Sequence, residues 1–176
     1  MKTSIALIGF MGTGKTAVGK ALAEKLSKDF VEMDSLIEQK AGKTIPEIFQ
    51  QNGEIAFREL EIEVTKEVAG KKNAVIACGG GVVLNKINID RLRKECIIAY
   101  LTASPRVILK RTSGDESERP LLRTPSKALH IQELLRFRKP FYERAADIKI
   151  DTSKLDIDSI TEQIISKLKE NESFYL

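Results

Sequence analysis

The sequence predicts a three-layer α/β/α fold around a five-stranded, mostly parallel sheet, and three observations carry that prediction. Short apolar runs alternate with stretches of helical periodicity. Two of the runs close on glycine. The first run leads directly into Gly9-Phe10-Met11-Gly12-Thr13-Gly14-Lys15-Thr16, a glycine-rich turn that opens a helix. Alternating strands and helices imply right-handed crossovers, hence parallel strands covered on both faces. With 176 residues, against a usual domain size of about 150, the chain is expected to form a single domain over 1–176.

Taken in order, residues 4–8 are apolar and end at Gly9, as a strand buried on both faces would. Residues 15–27 carry Val18, Leu22 and Leu26 four apart, a helical stripe. A second strand is predicted at 30–33 and a helix at 35–41, stopped by Gly42. Residues 53–69 repeat apolar positions at Leu60, Val64 and Val68 and read as helix. The third strand, 74–78, runs into Gly79-Gly80-Gly81. The fourth and fifth are predicted at 95–101 and 147–151, with helices at 105–112, 126–146 and 156–170. In such sheets ligands bind beyond the carboxyl ends of the strands.

Composition removes several function classes. Lys plus Arg number 29 against 25 Asp plus Glu, a net charge of +4, mild for a nucleic-acid partner and compatible with small anions. No charge-free stretch approaches the roughly 18 residues of a membrane span, so no membrane partner is expected. Cys78 and Cys96 are too few for a disulfide framework and lack metal-ligand spacing. They are expected to be buried and reduced. The one histidine, His130, excludes a His-cluster metal site. The chain is therefore expected to be cytoplasmic.

The turn at 9–16 matches G-x-x-x-x-G-K-S/T between a strand and a helix. Glycines let the backbone wrap a phosphate, and the helix start offers unpaired N–H groups and partial positive charge. Lys15 would reach the terminal phosphates, and the Thr16 hydroxyl would ligate magnesium. An Asp-x-x-Gly switch is absent, and Asn85-Lys86-Ile87-Asn88 lacks the aspartate of a guanine reader. ATP is the nucleotide expected, either hydrolysed or used to phosphorylate an acceptor.

Four further elements accompany the phosphate loop: Asp34 after the second strand, Phe49 through Phe57-Arg58, Gly79-Gly80-Gly81, and Arg119-Pro120-Leu121-Leu122 followed by Arg138-Lys139-Pro140-Phe141-Tyr142. In this order and at these separations the chain resembles the shikimate kinase family over nearly its whole length. The resemblance implies a P-loop kinase fold with a mobile lid, ATP and Mg2+ as cofactors, and transfer of the terminal phosphoryl group to the 3-hydroxyl of shikimate on the chorismate route. It also implies a monomer. Gly12, Thr13, Gly14, Lys15, Thr16 and Ala17 would hold the nucleotide, with Arg111 stacked on adenine and Asp151-Thr152-Ser153-Lys154 forming the loop beside the base, Ser153 in contact with the nucleotide. Arg58 and Arg138 would grip the substrate carboxylate with paired hydrogen bonds. Phe49 and Phe57 would pack on its ring, and Gly79, Gly80 and Gly81 would admit it against bare backbone. Asp34 would orient the reacting hydroxyl and accept its proton. Arg119, on a polar lid over about 112–125, would contact donor and acceptor as the lid closes.

Each residue also has a plainer reading. An arginine among Glu54, Glu59, Glu61 and Glu63 is ordinarily solvated or salt-bridged, and Phe49 and Phe57 are ordinarily core. A triple glycine can be a flexible turn, and Asp34 suits the N-cap of a helix beginning at Ser35. One position departs from the family pattern: Glu32-Met33-Asp34 stands where two aspartates flank one residue, which leaves the metal role of Glu32 open. The rival functions are a kinase of the same fold acting on gluconate or a nucleoside monophosphate, and a catalytically idle ATP-binding module.

Overall fold

The computed structural model describes residues 1–113 and 126–176. Five strands pair in parallel: β1 (Ser4–Ile8), β2 (Asp29–Glu32), β3 (Ala74–Ala77), β4 (Cys96–Thr102) and β5 (Ile148–Asp151). Their order across the sheet is β2-β3-β1-β4-β5. Alternate side chains of β1 feed two cores, because successive residues of a strand point to opposite faces. Ala6 and Ile8 join Val64, Val68, Leu92, Ile131 and Tyr142 on one face. Ile5 and Leu7 join Val18, Leu22, Ile160 and Ile164 on the other.

The helices that close these faces are α1 (Lys15–Leu26), α2 (Met33–Ala41), α3 (Ile45–Val68), α4 (Lys86–Glu95), α5 (Pro105–Thr112), α6 (Lys127–Ala145) and α7 (Ile157–Lys169). Helices α1 and α7 pack together on one side of the sheet, while α3, α4 and α6 cover the other. Among the described residues no helix is long and apolar enough to cross a membrane. Both cysteines are free and buried, and burial pushes the Cys96 thiol up to about 12.

Several boundaries differ from the sequence prediction for local reasons. Strand β2 ends at Glu32, and Met33, fully buried, is already the first residue of α2. The helix predicted at 53–69 is the second half of α3, which starts at Ile45. Its first half is launched by a capping box in which Thr44 and Glu47 satisfy each other's backbone N–H groups, with Pro46 in the first turn. Gly53, at φ 82 and ψ 173, breaks the helical path between the halves, a conformation that L side chains resist. Helix α4 was not predicted, because only Asn88, Ile89 and Leu92 of its ten residues are buried. Strand β4 runs from Cys96 to Thr102, starting and ending one residue later than predicted. Thr112, the first residue of the expected lid, is the buried last residue of α5. Residues 114–125, with Arg119, lie outside the described residues.

Candidate active site

Of the residues that the sequence nominated, the phosphate loop, Asp34, Arg58, Arg138 and the glycine triad come together beyond the carboxyl ends of the neighbouring strands β1 and β3, while Arg111 lines a groove on the other side of the phosphate loop and Ser153 lies apart from them. After β1 the chain turns through the phosphate loop into α1. Gly14 caps that helix in the left-handed region at φ 91, and no acidic side chain occupies the first turn. The first N–H groups of α1 thus face outward with the positive end of the helix dipole behind them. Lys15 Nζ reaches back over the loop, donating to the carbonyls of Gly9 and Phe10 at 2.8 and 3.0 Å. Thr13 turns its hydroxyl inward to the Phe10 carbonyl, so it offers the site its backbone only.

The exposed Thr16 donates its hydroxyl proton to Glu32 Oε2 at 2.7 Å. Burial pushes the Glu32 carboxyl above its ordinary value, and the bond from Thr16 opposes that shift. Two residues on, Asp34 sits inside the first turn of α2 and not at its cap, and no side-chain capping bond is made there. The expectation of an N-cap fails because the helix begins at Met33. The Asp34 carboxyl is instead left facing the space between Lys15, Arg58 and Gly79. Burial raises its pKa, Lys15 and Arg58 pull the other way, and Glu38 adds to the rise.

The second half of α3 brings Phe57, Arg58 and Glu61 to the glycine triad that follows β3. Arg58 donates to Glu61 Oε1 at 3.0 Å and to Glu54 at 3.3 Å. Its guanidinium lies so close over Gly81 that a Cβ there would overlap it. The salt-bridged reading of Arg58 and its place at the triad therefore both hold. Glu61 is fully buried, its second oxygen has no hydrogen-bond partner among the described residues, and a Cβ on Gly79 would stand 2.9 Å from it. From α6 comes Arg138, 2% exposed, its guanidinium carbon 5.8 Å from the centre of the Phe10 ring and its Nη1 3.6 Å from where a Gly80 Cβ would be. The Nε atoms of Arg58 and Arg138 are buried without partners among the described residues. Tyr142 fixes α6 to the triad through its hydroxyl, 2.5 Å from the Gly80 carbonyl. Phe57 is buried and Phe49 half-buried, their rings 4.8 Å apart beside Arg58.

On the other side of the phosphate loop a groove of about 600 Å³ is lined by Thr13, Gly14, Ala17, Arg111, Leu155 and Ile157 among others. Arg111 is held flat there by the Gly12 carbonyl and by Thr152. Ser153 turns its hydroxyl to the Ser104 amide at 2.9 Å and does not line the groove. The sequence reading missed Glu61, which looked like one more glutamate on a charged helix. Its position four residues after Phe57 and three before Val64 puts it on the buried stripe.

A family model described as shikimate kinase matches residues 11–169. The chain belongs to the shikimate kinase family. The shikimate kinase of Thermodesulfovibrio yellowstonii is 48% identical over 164 residues, 93% of this chain and 94% of that protein. That of Pelotomaculum thermopropionicum is 43% identical over 168 residues, 96% of each. Among solved structures, shikimate kinase from Acinetobacter baumannii in complex with shikimate superposes with a TM-score of 0.93 at 35% identity, covering 98% of this chain and 96% of that one. The geometry that accompanies this membership is a glycine-rich loop after β1 and two arginines over three glycines after its neighbour β3.

Proposed function

We propose that the protein transfers the γ-phosphoryl group of ATP to the 3-hydroxyl of shikimate, giving shikimate 3-phosphate and ADP, and that the residues at the sheet edge divide the work as follows. The observation that carries the reading is a pair of arginines over the glycine triad, buried Arg138 and half-buried Arg58, whose Nε atoms are buried without partners among the described residues. A buried cation is stable only when paired or hydrogen-bonded, and a planar guanidinium matches a carboxylate bidentately. The substrate carboxylate would complete them, Phe49 and Phe57 would flank the ring, and Glu61 would accept from a ring hydroxyl through its unpaired oxygen.

The backbone amides at the start of α1 and the Lys15 ammonium would bind the β and γ phosphates. Asp34, between Lys15 and the triad, would orient the 3-hydroxyl. As its oxygen bonds to the γ phosphorus, the bond to the bridging β–γ oxygen breaks, ADP departs with the electron pair, and the hydroxyl proton passes to Asp34. The transition state is loose, so alignment and charge neutralisation contribute more than basicity. Magnesium fits the hard oxygens of Thr16 and Glu32, which stand 2.7 Å apart on the phosphate side. When bound it would neutralise phosphate charge, with Thr16 as its protein ligand. Arg111 and Ala17 would wall the adenine groove, Ser153 would belong to the loop beside it, and Arg119 would meet the transferring group, a role resting on the resemblance. Residues 1–176 would act as one catalytic unit, a monomer in the cytoplasm. A coupled ADP assay with magnesium, offering shikimate, gluconate and nucleoside monophosphates, tests this: turnover dependent on shikimate alone is expected, and turnover dependent on another acceptor, or on none, refutes it.

A further inference from the structure

A phosphate loop that turns its amides toward an anion turns its carbonyls away from it, and those carbonyls need donors of their own. Gly9 and Phe10 receive Lys15. The carbonyl of Gly12 accepts from Arg111 Nη1 at 3.3 Å, and that of Thr13 from the Thr152 hydroxyl at 3.3 Å. Thr152 is fully buried just after β5. Its hydroxyl proton is shared between the carbonyls of Thr13 and, at 2.9 Å, Thr102. The same oxygen accepts from Arg111 Nη1 at 3.1 Å, and the Thr152 carbonyl accepts from Arg111 Nη2 at 2.9 Å. One side chain thereby joins the end of β4, the phosphate loop and the arginine that walls the neighbouring groove.

We propose that Thr152 is a positioning residue for the nucleotide: its hydroxyl fixes the back of the phosphate loop and the plane of Arg111 together, so that the base groove and the phosphate seat are set by one hydrogen-bonded strut. The proposal rests on the nucleotide reading of this groove. A merely structural role would not require the hydroxyl, since the Thr152 amide already ties β5 to β4 through the Thr102 carbonyl at 2.8 Å. Valine has nearly the same shape and keeps that amide, but it leaves the Thr13 carbonyl without its donor and Arg111 Nη1 without one acceptor.

The test is calorimetric titration of ADP, and separately of shikimate, into the wild-type protein, Thr152→Val and Thr152→Ser. Loss of one such buried hydrogen bond is expected to weaken ADP about tenfold in Thr152→Val, with shikimate affinity unchanged and Thr152→Ser restored to near the wild-type value. Equal ADP affinity in Thr152→Val, or parallel loss of ADP and shikimate, overturns the proposal. Failure of the wild-type protein to bind ADP overturns the nucleotide reading beneath it. Because Thr152→Val could unfold, hydrogen exchange on the wild-type protein gives a second measurement. Adenosine, which carries no phosphate, is expected to slow exchange of the amides of residues 12–15; unchanged exchange at saturating adenosine refutes the strut.

Discussion

Placing a methyl group at Gly81 isolates the acceptor pocket from everything else in the molecule. Gly81 has φ −100 and ψ 7, a backbone that alanine adopts without strain, so Gly81→Ala is expected to fold normally. Its Cβ, however, would lie 2.5 and 2.6 Å from Nη2 and Cζ of Arg58. Ordinary contact needs about 3.5 Å, so the guanidinium must retreat by about 1 Å. It cannot swing freely, because Glu61 at 3.0 Å and Glu54 at 3.3 Å hold it from the α3 side. A displacement of about 1 Å in a group that aligns a substrate costs on the order of 100-fold in rate. A coupled ADP assay with shikimate varied at saturating ATP should therefore show kcat/KM for shikimate reduced about 100-fold, with ADP affinity and Tm unchanged. A value within twofold of wild type would show that Arg58 does not touch the acceptor.

The pH profile of kcat/KM should report Asp34. Burial raises its pKa above the ordinary 3.8, so the acid limb is expected above that pH, and Asp34→Asn should abolish the limb while lowering kcat by about 100-fold or more. The same shift fixes the sign for stability: a carboxyl with a raised folded pKa destabilises the fold as pH climbs through that value, so Asp34→Asn should unfold at higher urea than wild type at neutral pH. Glu32→Ala removes the acceptor of the Thr16 hydroxyl and should raise the magnesium concentration for half-maximal turnover about tenfold, leaving metal-free shikimate binding as it was. Thr44→Ala deletes the capping box of α3 and should cost about 1 kcal/mol in urea unfolding, with little change in kcat.

How much of this could be read beforehand depended on whether a residue's job shows in its local pattern. The loop at 9–16 was legible because glycines, lysine and threonine at that spacing serve few purposes other than phosphate contact, and a buried strand followed by three glycines marks a ligand edge. Helix α4 was hidden by its composition: only three of its ten residues face the core, and Lys86, Arg91, Arg93 and Lys94 mask the stripe. The first half of α3 was legible in principle, since Thr44, Pro46 and Glu47 form a standard start signal, but Gly53 in the middle drew the boundary forward. Glu61 and Thr152 were harder. Each acts through partners distant in sequence, Glu61 at the floor of Gly79 and Thr152 at the carbonyl of Thr13, 139 positions away. Resemblance placed 151–154 in the base loop and singled out Ser153, whereas within that loop it is Thr152 that makes the polar contacts with Arg111 and the phosphate loop.

The adjacency of β1 and β3 has a further consequence. Neighbouring strands are held about 4.8 Å apart by their ladder of backbone bonds, and here the register pairs Ile5 with Val75, Ala6 with Ile76 and Leu7 with Ala77 immediately below the two loops. The sheet thus works as a ruler, setting the gap between giver and receiver with the stiffest part of the molecule. Walls on α2, α3 and α6 can be recut for a different guest without moving that scale.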